Sequence, residues 1–227
     1  MIKLVGAEHV VQMYCAWGQQ DSAGIYVVYI AMEIFERCLE DYLVARSEVD
    51  LTKSTIIFTE LMTVVRSMHD AGVIHRDLKP SNVLMDSNGH IAITDFGTCA
   101  IKPYPYAEVS FFGSKDIGTQ YCSDPVMGST TVKHGEKVDV YSTGVTYSEM
   151  HSLNVSKRRK LIRDTDQKYK YGMKHRAHDF LKSSIWKDWG GDLGIVRLTL
   201  LIRARPSAIL KHLAGRTESR NEQQALE

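Results

Sequence analysis

Several features that would assign this chain to a class of proteins are scarce or missing. Lysine and arginine number 28 against 27 acidic residues, so no excess of one charge attracts nucleic acid or an anionic membrane. The four cysteines form no C-x-x-C pair, which argues against a zinc site and a disulfide framework and is typical of reduced cytoplasmic thiols. The most apolar window, residues 24–32, is far shorter than the roughly 20 residues that cross a bilayer, and no signal-peptide pattern opens the sequence. We therefore expect a cytoplasmic protein with no evident direct binding to nucleic acid and no membrane contact.

The chain does have enough apolar residues for a core. With 227 residues and 44% apolar content, it can bury roughly 70% of the surface that it exposes when unfolded, so one compact domain is expected. Residues 10–17 and 25–33 are rich in β-branched and aromatic residues and flank a polar turn, which predicts a β-hairpin. The window 24–32 is expected to be a buried strand of that hairpin.

The rest of the pattern is mainly helical. Four segments are predicted as helices: residues 38–45, 52–69, 136–151 and 206–213. Gly72 is placed to end the second of them. Two apolar runs, residues 83–85 and 91–93, flank a D-S-N-G turn and predict a second, shorter hairpin. Residues 97–125 lack periodicity, and because a connection of that length is usually functional, we expect a regulatory loop there.

The densest polar stretch is VIHRDLKPSN at residues 73–82, which apolar runs flank on both sides. The tripeptide DFG at 95–97 follows the second hairpin, which should return Asp95 to a position beside Asp77. Three later motifs are GTQY at 118–121, DVYSTG at 139–144 and ARPSA at 204–208. In this order and at these separations, the motifs resemble the C-terminal lobe of eukaryotic protein kinases of the serine/threonine type. The resemblance covers roughly residues 9–213.

The resemblance implies an α+β, protein-kinase-like fold. A remnant of the N-terminal β lobe, together with the hinge, would occupy residues 1–35. A mainly helical C-terminal lobe would occupy residues 36–214, and a polar tail would occupy residues 215–227. A complete kinase also has a glycine-rich loop and a strand lysine ahead of the position of His9, and neither is recognisable here. We therefore expect an N-terminally truncated kinase. The alternative is a catalytically impaired, kinase-like interaction module that lacks the glycine-rich loop and the strand lysine.

The resemblance also implies a reaction: transfer of the ATP γ-phosphate, with Mg²⁺, to a hydroxyl of a protein substrate. Phosphoryl transfer needs an acceptor for the hydroxyl proton, metal ligands and a cation near the transferred charge. In the family pattern, Asp77 is the catalytic base and Lys79 is the cation on the γ-phosphate. Asn82 and Asp95 are the magnesium ligands. A lysine two residues after the base implies serine/threonine specificity, and Thr119 agrees with it because it resembles a threonine beside the phosphoacceptor.

Nucleotide binding and regulation are implied for other residues. The backbones of Glu33 and Phe35 resemble the hinge that meets adenine, and Met32 is either the gatekeeper of that site or a core residue. Arg76 resembles the arginine that receives a phosphorylated residue of the regulatory loop, although packing alone could order that loop. The candidate phosphoacceptors are Thr98, Ser110, Ser114 and Thr119. Asp139 resembles a helix carboxylate that supports the catalytic-loop backbone.

The subfamily is indicated by weaker signals. The run HVVQMYCAW at 9–17, the IAME that follows it and the ending LTLLIRARPSA are similar to kinases of the α subunit of translation initiation factor 2, with other serine/threonine kinases, such as the mitogen-activated kinase kinases, as the alternative. That similarity implies a homodimer formed through the N-terminal lobe. Ser123-Asp124-Pro125 departs from the family pattern, so we expect Asp124 to shift towards Arg205 or that region to be loosened. The basic run at 157–160 is interpreted as a solvated helix face or docking patch rather than a nuclear-import signal.

Overall fold

The computed structural model describes residues 4, 6–101, 135–157, 159–160, 206–211 and 213–214. The strands are β1 (Met13–Gln20), β2 (Tyr26–Met32), β3 (Arg37–Cys38), β4 (Val73–Ile74), β5 (Val83–Met85), β6 (Ile91–Ile93) and β7 (Ala100–Ile101). The helices are α1 (Leu39–Ala45), α2 (Leu51–Asp70) and α3 (Lys137–Met150). Helices with small antiparallel sheets confirm the predicted α+β class.

The predicted first hairpin is confirmed. Strands β1 and β2 pair antiparallel, and Trp17 lies opposite Tyr29 with the two rings stacked at 5.3 Å between centroids. The polar turn between the strands closes on Asp21, whose Oδ1 accepts the N–H groups of Ala23 and Ile25 at 2.9 and 2.8 Å. Gly24 takes a positive φ of 81° in this turn, a conformation that glycine adopts without a steric penalty.

The prediction that residues 24–32 form a buried strand is wrong. Tyr26 is 70% exposed, Val28 60% and Ile30 51%. An apolar run predicts burial only if another layer covers the strand, and β1 and β2 form a sheet of two strands with no third strand among the described residues. The hairpin therefore exposes apolar side chains that the sequence pattern assigns to the core.

Helix α2 follows the prediction closely because both of its ends are encoded locally. The Asp50 side chain caps the N-terminus by accepting the N–H of Lys53 at 2.8 Å. At the other end Gly72 adopts a φ of 74° and donates its N–H to the His69 carbonyl at 2.9 Å, which ends the helix as predicted. Its buried apolar residues are Ile57, Phe58, Leu61, Met62, Val64, Val65 and Met68, whereas Ile56 is 54% exposed.

Helix α3 lies at the centre of the described core. Every residue from Val138 to Met150 is buried, and the ring of Tyr147 packs on Phe58 of α2 with 4.1 Å between centroids. Residues 206–211 and 213–214 are helical, as predicted, and Ile209 and Leu213 are buried in the same apolar cluster. Helix α2 and the last helical segment thus share one core with α3.

The short sheets bring separate parts of the chain together. Strand β5 pairs antiparallel with both β3 and β6, and β4 pairs with β7. The predicted D-S-N-G turn joins β5 to β6, and the Asp86 Oδ1 accepts the N–H groups of Asn88 and His90, both at 2.9 Å. Among the described residues, Cys15, Cys38 and Cys99 are free thiols. No helix in the part of the chain that the structure describes is long and apolar enough to cross a membrane.

Candidate active site

The loop between β4 and β5, called the catalytic loop below, brings together three predicted site residues: two catalytic side chains and one magnesium ligand. Lys79 Nζ lies 2.9 Å from Asp77 Oδ2, and the Asn82 side-chain amide donates to the same oxygen at 3.3 Å and to the Asp77 carbonyl at 2.9 Å. The local sequence explains the shape, because Pro80 starts a single 3₁₀ turn through Asn82 that folds the amide back over Asp77. Asp77 and Asn82 are 8% and 6% exposed, so the cluster is desolvated on most sides.

The second hairpin returns the chain to this loop. The N–H of Thr94 donates to the Asn82 carbonyl at 3.0 Å, and the His75 Nε2 bonds to the Thr94 carbonyl at 3.0 Å. Asp95 follows directly, exposed and with a positive φ of 61°, and its Oδ1 accepts the Gly97 N–H at 3.4 Å. A non-glycine residue in the left-handed region is uncommon and clusters at functional sites.

The donor chemistry of Asn82 and Asp95 fits the predicted magnesium ion. The Asn82 Nδ2 is occupied by Asp77, which orients the amide so that its other atom, Oδ1, is the one left for a ligand. Asp95 adds an exposed carboxylate, and amide and carboxylate oxygens are ligands that Mg²⁺ prefers. Among the described residues no group of three or more His, Cys, Asp and Glu side chains could hold a metal ion.

Asp139 of α3 supports the catalytic loop from beneath. Its Oδ2 accepts the N–H of His75 at 2.8 Å, and its Oδ1 accepts the N–H of Arg76 at 2.8 Å. Burial by itself opposes ionisation of this fully buried carboxyl, but a hydrogen bond from His69, the nearby His69 and His75 rings and the Arg76 N–H together lower the pKa of Asp139. The structure therefore places Asp139 in the supporting position that the sequence predicts.

Two side chains in this network were not predicted. The His69 Nε2 lies 2.9 Å from Asp139 Oδ2, and the Thr98 hydroxyl donates to the His75 carbonyl at 3.0 Å. His69 could have been noticed because it is a polar residue one position after Met68 on the apolar face of α2. The sequence indicates Thr98 only as a candidate phosphoacceptor, whereas in the structure its hydroxyl is hydrogen-bonded to the His75 carbonyl.

Arg76 is held in an unusual conformation next to this network. Its φ is 71°, and its side chain donates to the carbonyl of Thr98 through Nε at 2.6 Å and to that of Cys99 through Nη2 at 3.4 Å. The arginine therefore fastens the segment after the DFG motif to the catalytic loop. Its predicted role as receiver of a phosphorylated residue stays a prediction.

The predicted hinge follows β2. The Glu33 N–H donates to the Gln12 carbonyl at 2.9 Å, and its carboxylate accepts the Gln12 N–H at 3.3 Å, so an adenine would meet the Glu33 carbonyl. Phe35 is half-buried, whereas Ile34 is 93% exposed. Met32 is 47% exposed, so its interpretation as a core residue is wrong.

Several predicted residues lie outside the described part of the chain, among them Thr119, Ser110, Ser114, Asp124 and Arg205. The GTQY motif lies outside it as well.

Arg159 corrects the interpretation of the basic run at 157–160 as a solvated face. Its Nε and Nη2 each lie 3.1 Å from an oxygen of the fully buried Glu149, and its Nη1 lies 2.6 Å from Glu40 Oε1. A buried carboxylate needs a paired cation, which draws this arginine inward while Lys157 and Lys160 stay exposed. Charge runs predict solvation only where no buried partner lies within reach.

Among known proteins, the chain is similar to several protein kinases. The eIF-2-alpha kinase GCN2 of Homo sapiens is 31% identical over 146 residues, which are 56% of this chain and 9% of the relative. The serine/threonine-protein kinase CHK1 of Mycosarcoma maydis is 34% identical over 130 residues, which are 56% of this chain and 18% of the relative. The serine/threonine-protein kinase STE20 of Debaryomyces hansenii is 32% identical over 123 residues, 54% of this chain and 11% of the relative. The chain thus spans less than a fifth of the length of these curated relatives.

The chain also matches a model of a whole protein family. The model of the protein kinase domain matches residues 1–189, which include the catalytic loop, the DFG motif and α3. The chain therefore belongs to the protein kinase domain family.

Proposed function

We propose that this chain carries serine/threonine protein kinase activity, transferring the γ-phosphate of ATP to a hydroxyl of a protein substrate. Residues 36–214 would supply the phosphotransfer chemistry, and residues 1–35 the adenine side of the site. The observation that carries the proposal is the cluster of Asp77, Lys79 and Asn82 around one carboxylate oxygen. Its relatives named as serine/threonine-protein kinases support the hydroxyl specificity.

The mechanism follows from how the loop orients Asp77. Lys79 and Asn82 both donate to Asp77 Oδ2, so the direction of the carboxylate is set before a substrate arrives. In this orientation Asp77 accepts the proton of the attacking hydroxyl, and Lys79 stabilises the charge on the transferred phosphoryl group. Asn82 and Asp95 would hold Mg²⁺, which would neutralise phosphate charge when bound. Positioning and electrostatics supply most of the rate in this class of reaction.

The substrate, the adenine contacts and the regulatory roles are supported by resemblance to the kinase family and by the positions of the residues. A relative is named eIF-2-alpha kinase, which supports the α subunit of translation initiation factor 2 as substrate. The Glu33 carbonyl and the Phe35 backbone would bind adenine, and Arg76 and Thr119 would serve regulation and specificity. A cytoplasmic location and a homodimer formed through the N-terminal lobe stay predictions.

The second candidate function is an interaction module with impaired catalysis. The exposed apolar hairpin of β1 and β2 favours it, because contiguous exposed apolar surface marks binding sites for other proteins. An interaction module needs only a folded binding surface and does not depend on phosphotransfer.

Phosphotransfer by the purified chain separates the two functions. We would measure Mg²⁺-dependent transfer of labelled phosphate to serine, threonine and tyrosine peptides and to the initiation factor subunit, with the wild type, Asp77→Asn and, as control, Asp70→Asn on the exposed end of α2. Removal of a general base costs about 10²- to 10⁴-fold in rate, so we expect that loss for Asp77→Asn and an unchanged rate for Asp70→Asn.

Nucleotide binding is measured on the same three proteins. Asp77→Asn should still bind Mg²⁺-ATP, since Asp77 is not assigned to the nucleotide. Equal transfer by the wild type and Asp77→Asn refutes the catalytic proposal and favours the interaction module.

A further inference from the structure

Tyr42 of α1 lies among three basic side chains that come from separate parts of the fold. The Arg37 guanidinium of β3 lies 5.6 Å from the centre of the Tyr42 ring, and the Lys53 Nζ of α2 lies 4.7 Å from it. Arg46 follows Tyr42 by one helical turn, and this spacing brings the two side chains to the same face of α1. Tyr42 is half-buried, and its hydroxyl has no hydrogen-bond partner among the described residues.

Arg46 carries donors that no group in the described part of the chain accepts. Its Nη2 donates to the carbonyls of Glu149 and Ser152 at the end of α3, at 3.1 and 2.9 Å, whereas its Nε and Nη1 are buried without a partner. A buried donor without an acceptor costs free energy, and the cost is larger for a charged group. Burial accordingly lowers the pKa of Arg46, and negative charge on Tyr42 works against that shift. Charge added at Tyr42 would therefore stabilise Arg46.

The acidic side chains of this region leave the three cations unneutralised. Four of them already bond other groups: Glu40, Asp41, Asp50 and Asp86. Two more, Glu36 and Glu48, are exposed. Within the described ranges, no carboxylate forms an ion pair with Arg37, Arg46 or Lys53. The surroundings of the Tyr42 ring are thus suited to an added anion.

We propose that Tyr42 is a phosphorylation site whose phosphate is bound by Arg37, Arg46 and Lys53. A separate tyrosine kinase with Mg²⁺-ATP would carry out the reaction. The Tyr42 oxygen forms a bond to the γ-phosphorus, the bond from that phosphorus to the β,γ-bridging oxygen breaks, ADP leaves, and the phenol proton passes to the base of that kinase. The proposal is independent of the kinase function proposed for this chain.

The bound phosphate would tie three elements together. It carries a charge of about −1.5 to −2 and oxygens that accept strong hydrogen bonds. Arg37 and Lys53 need only swing from the ring to the phosphate, which would join α1 to β3 and α2. Helix α1 has 7 residues, and since so short a helix is marginal by itself, its local opening gives a kinase access to Tyr42.

The first experiment asks whether the folded whole chain accepts phosphate at Tyr42. The chain is treated with Mg²⁺-ATP and a tyrosine kinase that phosphorylates peptides spanning Tyr14, Tyr26 and Tyr42, and each site is followed by mass spectrometry. Tyr14 and Tyr26, 71% and 70% exposed in the first hairpin, are the references. We expect phosphate at all three sites. A folded chain that takes none at Tyr42 overturns the proposal.

The second experiment measures the environment of the phosphate by phosphorus NMR. Two chains are titrated, one with phosphotyrosine incorporated at position 42 and the other at position 26, where no cation lies over the ring among the described residues. The second pKa of the phosphate is ordinarily about 6, and nearby cations lower it. We expect that pKa to be about 1 pH unit lower at position 42 than at position 26. Equal values would refute binding by the cations.

Variants of the chain phosphorylated at Tyr42 identify the cations. Arg37→Gln and Lys53→Gln should each raise the phosphate pKa by about 0.3–0.5, since each removes one opposite charge. The matched control is Arg66→Gln, which removes an exposed cation about 20 Å along α2 from Lys53 and should leave the pKa unchanged. Equal effects of the three changes would overturn the assignment.

Arg46 is tested without a substitution, because its Nη2 also holds the end of α3. The proton signal of its Nε–H should move when Tyr42 is phosphorylated and stay in place when Tyr26 is phosphorylated. The same signal in both phosphorylated chains would refute the contact between Arg46 and the phosphate.

Discussion

Replacing Asp139 by asparagine tests whether one buried carboxylate organises the catalytic loop. The two side chains have the same shape, so the change removes charge and one acceptor without opening a cavity. Three donors from the described part of the chain face the carboxylate: the ring of His69 and the N–H of His75 at Oδ2, and the N–H of Arg76 at Oδ1. The amide does best with its oxygen at the position of Oδ2, which turns its NH₂ towards the Arg76 N–H.

The magnitude follows from this geometry. One hydrogen bond to a charged acceptor is lost, worth about 1.5–3 kcal/mol, and the two that remain lose their charge assistance, which roughly halves them. Asparagine avoids the cost of burying a charge, and in the wild type that cost is offset by the His69 hydrogen bond, the nearby His69 and His75 rings and the Arg76 N–H, which lower the pKa of Asp139. We expect a loss of about 3 kcal/mol in the free energy of unfolding, a large part of the roughly 5–15 kcal/mol typical of a domain.

Urea denaturation followed by far-ultraviolet circular dichroism measures this loss. With a slope of about 2–3 kcal/mol per molar urea, Asp139→Asn should lower the midpoint by about 1–1.5 M. The exposed Asp70→Asn should change the free energy of unfolding by less than about 0.5 kcal/mol. Equal midpoints for the two variants would refute the reasoning.

The pH dependence of the same measurement has a definite sign. Because the folded-state pKa of Asp139 lies below the ordinary value of about 3.9, its contribution is complete above that value and is lost as the pH falls through the folded-state pKa. The stability difference between the wild type and Asp139→Asn should therefore shrink in acid below about pH 4. A difference that grows as the pH falls would contradict this account.

Two further changes test the burial that the structure assigns. Arg159→Ala removes both guanidinium contacts from the buried Glu149 carboxylate and should cost about 3–5 kcal/mol in urea denaturation, whereas Ala at the exposed Lys157 should be nearly neutral; similar small effects at both positions would contradict the buried pair. Val28→Lys in the exposed hairpin should change stability by less than about 1 kcal/mol and reduce aggregation of the purified chain measured by light scattering, and a loss above about 2 kcal/mol would mean that the strand is covered after all.

Elements whose signals are local could be predicted almost residue for residue. The prediction of a helix at 52–69 agrees with Leu51–Asp70, because the apolar stripe lies within the segment and the aspartate cap and terminal glycine lie within two residues of its ends. Strands β5 and β6 have the predicted bounds, because the D-S-N-G turn between them determines their register. The roles proposed for Asp77, Lys79 and Asn82 also rest on a local motif, and the structure brings these three side chains together.

Contacts between distant parts of the chain could not be predicted in this way. His69 and Asp139 are separated by 70 positions, and Arg159 and Glu40 by 119. The sequence around each of these four residues does not show which buried group its side chain will contact. Burial of β2 failed as a prediction for the same reason, since whether a strand is covered depends on elements elsewhere in the chain.

The sequence by itself therefore determined the order of the elements, the family motifs and the candidate catalytic side chains, because these depend on residues within a few positions of one another. Only the tertiary structure decided that Asp139 joins His69 to the catalytic loop, that Arg76 is held at a positive φ, and that Arg159 turns inward. These outcomes depend on which donors and acceptors share the dry space around α3, where a buried charge must find partners from any part of the chain.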